Sequence, residues 1–257
     1  MTATIDDIID QFRGKTILRR EELVARSFAG GGKRVQTLNL HHIALFLQNF
    51  RFREAVAKAD LLTADGWPVV VTLRLAGIAA SRVTGADLVA DLVRHPDANS
   101  KRFGLLGAST DVGDKFEDLL SANGSKLVFR EHGDRSEWND SELVARLRET
   151  DVDILLIAIS PPWGDEIASR LADSGSCGFV IAVGGAVDMV TGARDRAPVL
   201  LQRLGIEWFY RMVQDPKHLL HRYIVECGKT LVFSLVPAWG RMGWRRLRGG
   251  VTKRNTV

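Results

Sequence analysis

The residue whose setting points most directly to chemistry is Asp65. It ends the apolar run Leu61-Leu62-Thr63-Ala64, and Gly66 follows it at once. If that run is a buried strand, Asp65 lies just beyond the strand's carboxyl end, where open α/β sheets place their ligands. A carboxylate held there can act as a general base. The same Asp-Gly pair also reads as a turn signal, with Asp65 capping the helix that follows. Both readings stand on this stretch alone.

Three further apolar runs end in turns of chemical interest: Gly107-Ala108-Ser109, Ser160-Pro161-Pro162-Trp163-Gly164-Asp165 and Gly184-Gly185-Ala186-Val187-Asp188. Backbone amides at Gly-rich turns, with a helix starting behind them, form phosphate cradles. Glycine serves tight packing equally well. Three such turns at one edge, with Asp65 and Thr37 at neighbouring strand ends, define an expected ligand cleft.

The elements that must position these residues follow from periodicity. Residues 3–28 read as a helical preamble and 29–34 as a loop. Val35 to Leu38 reads as a first strand, Leu40 to Ala59 as a helix, and Val69 to Leu75 as either strand or helix. A helix is expected over 86–94. Strands at 103–106, 126–130, 154–159 and 179–183 then alternate with helices at 111–122, 140–149 and 165–172. Strands separated by helices of that length imply right-handed βαβ units. The expected class is therefore α/β, a Rossmann-like, mostly parallel sheet flanked by helices. The expected division is 1–34 for the N-terminal helical segment, 35–204 for the Rossmann-like domain and 205–257 for a basic helical appendage.

Several motifs are decoys. Gly30-Gly31-Gly32-Lys33-Arg34 lacks the leading glycine of a phosphate loop, and Arg34 replaces its hydroxyl residue. His41 and His42 are adjacent, so on a helix they face apart and are unsuited to share a metal. Asp151-Val152-Asp153 imitates a metal-holding Asp-X-Asp but precedes its strand, at the edge opposite the cleft, and reads as solvated strand-entry residues. No strand leads into the Gly-X-Gly-X-X-Gly of a dinucleotide fold, which disfavours an oxidoreductase. No metal and no cofactor are expected.

The chain has 257 residues, two cysteines and a net charge of +4. Two cysteines, Cys177 and Cys227, make neither a disulfide framework nor a zinc pattern, which suits a reducing compartment. The N-terminal residues lack the basic start and apolar core of a secretory signal, and no apolar run is long enough to span a bilayer. All 31 acids lie at or before Glu226, whereas seven of the 35 bases follow it. The basic character belongs to the tail and points to an anionic partner. No recognisable nucleic-acid module stands behind it.

Several blocks together carry a specific likeness. They are Thr37-Leu38-Asn39, Ala59-Asp60 through Asp65-Gly66, and Arg82-Val83-Thr84-Gly85-Ala86-Asp87-Leu88. They continue with Val183 through Asp188, Arg196-Ala197-Pro198, Glu207-Trp208-Phe209-Tyr210-Arg211 and Asp215-Pro216. In order and spacing the chain resembles the WecG/TagA/CpsF glycosyltransferase family over roughly residues 35 to 225. The resemblance implies a bacterial, metal-independent, inverting enzyme, cytoplasmic and peripheral at the inner face of the membrane. Such an enzyme moves a hexose from a UDP-hexose to a polyprenyl-diphosphate-linked saccharide in surface polysaccharide synthesis. It makes Asp65 the general base, sets Thr37 and Asn39 on the acceptor side, and gives Arg82 and Asp87 supporting roles. Gly184 and Gly185 would face the nucleotide, with Gly107 and Asp188 at the neighbouring strand ends. Assembly into a homo-oligomer is compatible with the resemblance.

Two departures stand out. The family's Pro-Lys-Gln-Glu turn appears as Pro162-Trp163-Gly164-Asp165, so its glutamine is a glycine. After Pro216, where relatives carry arginines, the chain shows Lys217, His218, His221 and Arg222. His218, His221 and Arg222 can share a helix face. With Arg211 they are expected to form a diphosphate-contacting edge, against the plainer reading of a mixed solvated face. These departures keep open a second expectation, a catalytically silent homologue that binds lipid-linked saccharide or an assembly partner. Pro237 is expected to interrupt any helix in the tail. Trp239 and Trp244 are expected at headgroup level beside arginines on anionic lipid; the alternative is a core-packing helix with a disordered basic end.

Overall fold

The computed structural model describes residues 3–16, 19–31, 33–133, 138–203 and 206–252, without the side chains of 203, 218 and 247–252. The expected contacts of His218 and Arg248, and the tail bases Lys253 and Arg254, lie outside the described residues.

Six strands form one parallel sheet: β1 (Arg34–Leu38), β2 (Leu61–Ala64), β3 (Arg102–Ala108), β4 (Lys126–His132), β5 (Ile154–Ile157) and β6 (Phe179–Ala182). Their order is β2-β1-β6-β5-β3-β4. Every residue of β1, β2, β5 and β6 is buried, as befits parallel strands covered on both faces. One face packs on α2 (Arg20–Ala29), α6 (Gly85–Arg94) and α7 (Thr110–Ala122), around Leu88, Phe103 and Phe116. On the other, α8 (Asp140–Thr150) and α9 (Trp163–Asp173) pack through Leu147 and Leu171. A third cluster joins α1 (Ile5–Phe12), α3 (Leu40–Gln48), α4 (Phe50–Ala57) and α5 (Trp67–Leu75) near β2.

The expected α/β class and parallel sheet are found. The differences are local. The preamble is two helices, and Thr16 between them bridges to Leu62 beside β2. The helix expected over 40–59 is two, because Asn49 leaves helical geometry at φ −114° and its side chain accepts from the Phe52 amide. An Asn in that position starts a helix instead of continuing one. The ambiguous run near 69–75 is α5. Asp151 is left-handed (φ 49°), and Asp153 accepts hydrogen bonds from Arg102, so this pair pins the sheet's amino-terminal edge.

After α10 (Ala186–Val190), α11 (Val199–Arg203) and α12 (Glu207–Gln214), a continuous helical run, α13, covers residues 216–252. It opens as Pro216–Leu220 and ends as Val236–Thr252, with π-wound turns at His221–Cys227 and Leu231–Leu235. The helix passes through Pro237, contrary to the expected break. Proline lacks an amide proton and crowds the carbonyl four residues back, that of Phe233. The π-wound turn sits at that place, and such a turn widens the helix where normal bonding fails. Leu231, Leu235, Ala238 and Met242 seat α13 on the third cluster. No helix among the described residues is long and apolar enough to cross a membrane.

Candidate active site

β2 delivers Asp65 to the carboxyl edge of the sheet. The β1–β2 register pairs Leu38 with Ala64, and the Asp65 amide donates to the Leu38 carbonyl at 2.8 Å. Gly66, at φ 104°, is the cap residue of α5, so the Asp65 carboxylate is not spent on capping that helix. Only glycine takes that backbone geometry without strain. Burial pushes the Asp65 pKa up to about 6; Arg82 and Arg211 pull it down, while Glu207 and Asp87 push it further up. Such a group is mostly ionised at pH 7 yet is a stronger proton acceptor than an ordinary carboxylate.

Arg82 reaches this place because the chain after α5 returns alongside β2. Ala64 and Arg82 form a parallel bridge, and the Val83 amide donates to the Ala64 carbonyl at 2.9 Å. The guanidinium of Arg82 donates through Nη1 to the Gln202 carbonyl (2.7 Å) and through Nη2 to Glu207 Oε2 (2.9 Å). Glu207 Oε1 lies 4.0 Å from Arg196 Nε, and Arg196 Nη2 donates to Asp87 Oδ1 at 2.6 Å. Asp87 also accepts from the Thr84 hydroxyl, which caps α6. Burial would raise the Asp87 pKa, but the hydrogen bonds from Arg196 and Thr84 outweigh it and hold the group below its ordinary value.

The turn after β6 faces the same cleft. Gly184 is left-handed at φ 51°, and a Cβ on Gly185 would stand 3.2 Å from Asp188 Oδ2 and 3.5 Å from Arg211 Nη2. Arg211, on α12, therefore touches the Gly-rich turn while its charge acts on both Asp65 and Asp188. Its Nε is buried without a hydrogen-bond partner. Burial raises the Asp188 pKa, and Arg194 and Arg211 oppose the rise.

The remaining expected residues are distributed unevenly. Thr37, in β1, donates its hydroxyl to the Ala182 carbonyl at 3.3 Å. Asn39 caps α3, with Oδ1 accepting from the amides of His41 and His42, so its side-chain amide group is the part left for a ligand. Gly107 (φ 96°) stands at the same sheet edge, but β6 and β5 separate its strand from β1, so it does not join the Asp65 cluster. A Cβ there would overlap the Ile159 side chain, which gives this glycine a packing role. His221 is largely exposed, with Nδ1 3.6 Å from Glu226 Oε1. Arg222 lies over the Tyr223 ring, with a buried Nε lacking a partner.

Sequence reasoning missed a polar network below the cleft. Arg34, fully buried in β1, donates to Gln36 Oε1 (2.7 Å) and to the Asp165 carbonyl (3.1 Å). Gln36 Nε2 donates to Asp165 Oδ1 at 2.5 Å, and His42 Nε2 lies 3.8 Å from the same oxygen. Burial raises the Asp165 pKa to about 6, against Gln36 and Arg34. Burial lowers that of Arg34 to about 10. The available signal was three polar side chains, Arg34, Gln36 and Thr37, in a five-residue strand otherwise suited to a two-sided core. Gly164 is fixed by sterics here, since a Cβ would overlap the Ile159 carbonyl oxygen. Among the described residues, no three His, Cys, Asp or Glu side chains gather as a metal site.

A parallel α/β sheet that brings an aspartate and two arginines to its carboxyl edge defines a Rossmann-like fold with a candidate ligand cleft at that edge. The family model described as "Glycosyl transferase WecG/TagA/CpsF family" matches residues 9–242, and the chain belongs to that family. Among curated proteins it is similar to the N-acetylglucosaminyldiphosphoundecaprenol N-acetyl-beta-D-mannosaminyltransferases of Staphylococcus aureus strains MRSA252 and MW2. Each is 25% identical over 222 residues, covering 85% of this chain and 87% of the relative.

Proposed function

We propose that this protein is an inverting glycosyltransferase that moves a hexose from a UDP-sugar to a polyprenyl-diphosphate-linked saccharide, with Asp65 as general base. The observation that carries the reading is the placement of Asp65 at the carboxyl end of β2, its amide held on the Leu38 carbonyl, where the charges of Arg82 and Arg211 act on it. The names of the Staphylococcus aureus relatives supply the acceptor class, a sugar on a lipid diphosphate.

In this mechanism Asp65 takes the proton from the acceptor hydroxyl as its oxygen attacks the anomeric carbon from the face opposite the nucleotide. The bond from that carbon to the UDP oxygen breaks, and the electron pair leaves with UDP. Arg211 and the amides of Gly184 and Gly185 meet the charge that develops on the diphosphate, without a metal ion. Thr37 and the amide of Asn39 orient the acceptor. Arg82 and Asp87, tied into one ion chain, hold the α12 side of the cleft in place. Arg222, with His221 beside it, extends the polar edge toward the lipid diphosphate.

Residues 205–257 serve as an appendage on the membrane surface, at the inner face where the acceptor's diphosphate is accessible. Phe209, Val213, Leu220, Ile224 and Phe233 are exposed on α12 and α13, with Lys229, Arg241, Arg245 and Arg246 exposed along the same run. Apolar anchors with basic neighbours suit an anionic bilayer surface, each base contributing about 1 kcal/mol. Trp239 does not serve there, contrary to the sequence expectation. Its ring nitrogen donates to Thr72 Oγ1 at 2.8 Å and its ring meets Trp67. Exposed Trp244 keeps that role.

The test is UDP release by the purified full chain with a panel of UDP-hexoses, chelator and an acceptor-loaded anionic vesicle. Acceptor-dependent release supports the transferase. The second reading, a silent homologue, is favoured by Gly164 in place of the family's glutamine; saccharide binding without release from any donor would select it.

A further inference from the structure

We propose that Glu207 is a positioning residue for the base: by holding the Arg82 guanidinium on α12, it keeps that group from pairing directly with the Asp65 carboxylate. The backbone of Arg82 is bridged to Ala64, one residue before Asp65, so the arginine starts beside the base. Its guanidinium nevertheless turns to α12, with Nη2 on Glu207 Oε2 at 2.9 Å and Nη1 on the Gln202 carbonyl at 2.7 Å. Glu207 is the first residue of α12 and its side chain is largely buried, so the carboxylate has little freedom to leave. Its other oxygen faces Arg196, which is itself engaged by Asp87.

This arrangement settles a chemical conflict. A transferase of this kind needs a cation near the leaving diphosphate and an unneutralised carboxylate at the acceptor hydroxyl. An arginine paired to that carboxylate would lower its pKa by about 1–3 units and weaken it as a base. The groups facing Asp65 are Arg82 from the loop after α5, Asp87 from α6, and Glu207 and Arg211 from α12. Of these, Glu207 alone both adds a negative charge and binds Arg82, the arginine whose charge acts most strongly on Asp65. Because Glu207 leads α12, seating of the C-terminal helices and readiness of the base are one event.

The inference rests on Asp65 being the base, so its test reads the carboxylate without donor or acceptor. Full-length protein labelled with carboxyl 13C-aspartate is titrated by NMR, with the Asp65 signal assigned by its absence in Asp65→Asn. Glu207→Gln is expected to move the Asp65 midpoint down by about 1 unit. In an Arg82→Gln background the same change is expected to move it by less than half as much, because Glu207 acts through Arg82. If Glu207→Gln does not fold, Glu207→Asp replaces it; its shorter side chain loosens the grip, and a partial downward shift is expected. An unmoved midpoint, or equal shifts in both backgrounds, would overturn the inference. Absence of transfer by the wild type would instead count against the proposed function and leave the titration result intact.

Discussion

His41 Nε2 and Glu226 Oε2 stand 3.0 Å apart, joining the first turn of α3 to the long C-terminal helix. Burial first, then Arg222 and His42, lower the His41 pKa to about 4, against Glu226. The ring is neutral at pH 7. Its buried Nδ1 has no partner, so Nε2 carries the proton and donates to Glu226. Thirteen residues further along the helix, the Trp239–Thr72 hydrogen bond makes a second attachment.

That second attachment gives a test of how α13 is held. Trp239→Ala removes a half-buried ring and its hydrogen bond, and is expected to cost about 2 kcal/mol. Because the loss is local, amide exchange should accelerate along residues 228–246 while the strands keep their protection. Transfer should fall although no group facing Asp65 has changed.

Acid should act on the fold in two opposing ways. His41 and His42, lowered by burial to about 4 and about 3, bind protons more readily unfolded. Their stabilisation is full above about pH 6.5 and is lost as pH falls. Asp65 and Asp165, raised to about 6, are held protonated longer in the folded chain, so they add stability as pH falls from about 6 toward 4. Thermal midpoints between pH 7 and 4.5 should therefore fall more steeply in Asp65→Asn than in wild type, and less steeply in His42→Gln. At pH 7, Asp65→Asn should raise the midpoint.

Gly164 offers a steric test. A side chain there meets the Ile159 carbonyl, so Gly164→Gln is expected to destabilise by about 1–3 kcal/mol. Restoring the family's glutamine should not raise transfer with any donor. The measurement is denaturant unfolding beside the donor panel.

Much of this was legible in the sequence because it depends on local pattern. The apolar runs of β2, β5 and β6 are continuous, as two-sided burial demands, and the Asp65-Gly66 pair places an acid at a strand end. Long-range pairings were not legible. Arg82 and Glu207 are 125 residues apart, and Gln36 and Asp165 are 129 apart, so no spacing rule connects them. Gly107 reads with the cleft because strand ends look alike in sequence, whereas the strand order puts β6 and β5 between its strand and β1. Pro237 misled because a π-wound turn can absorb a proline that a regular helix cannot.

If Asp65 takes the acceptor's proton, the rate of transfer must follow the ionisation of that carboxylate. Acceptor-dependent sugar transfer is measured as kcat/KM from pH 5 to 8.5 for wild type and Asp65→Asn, with the preferred donor. The wild-type rate should climb through a midpoint near 6, the value burial gives this carboxylate, and then level off. Asp65→Asn should lose about 10²–10⁴-fold and show no such limb. A mutant that keeps near wild-type transfer, or retains the same limb, would rule out Asp65 as the base.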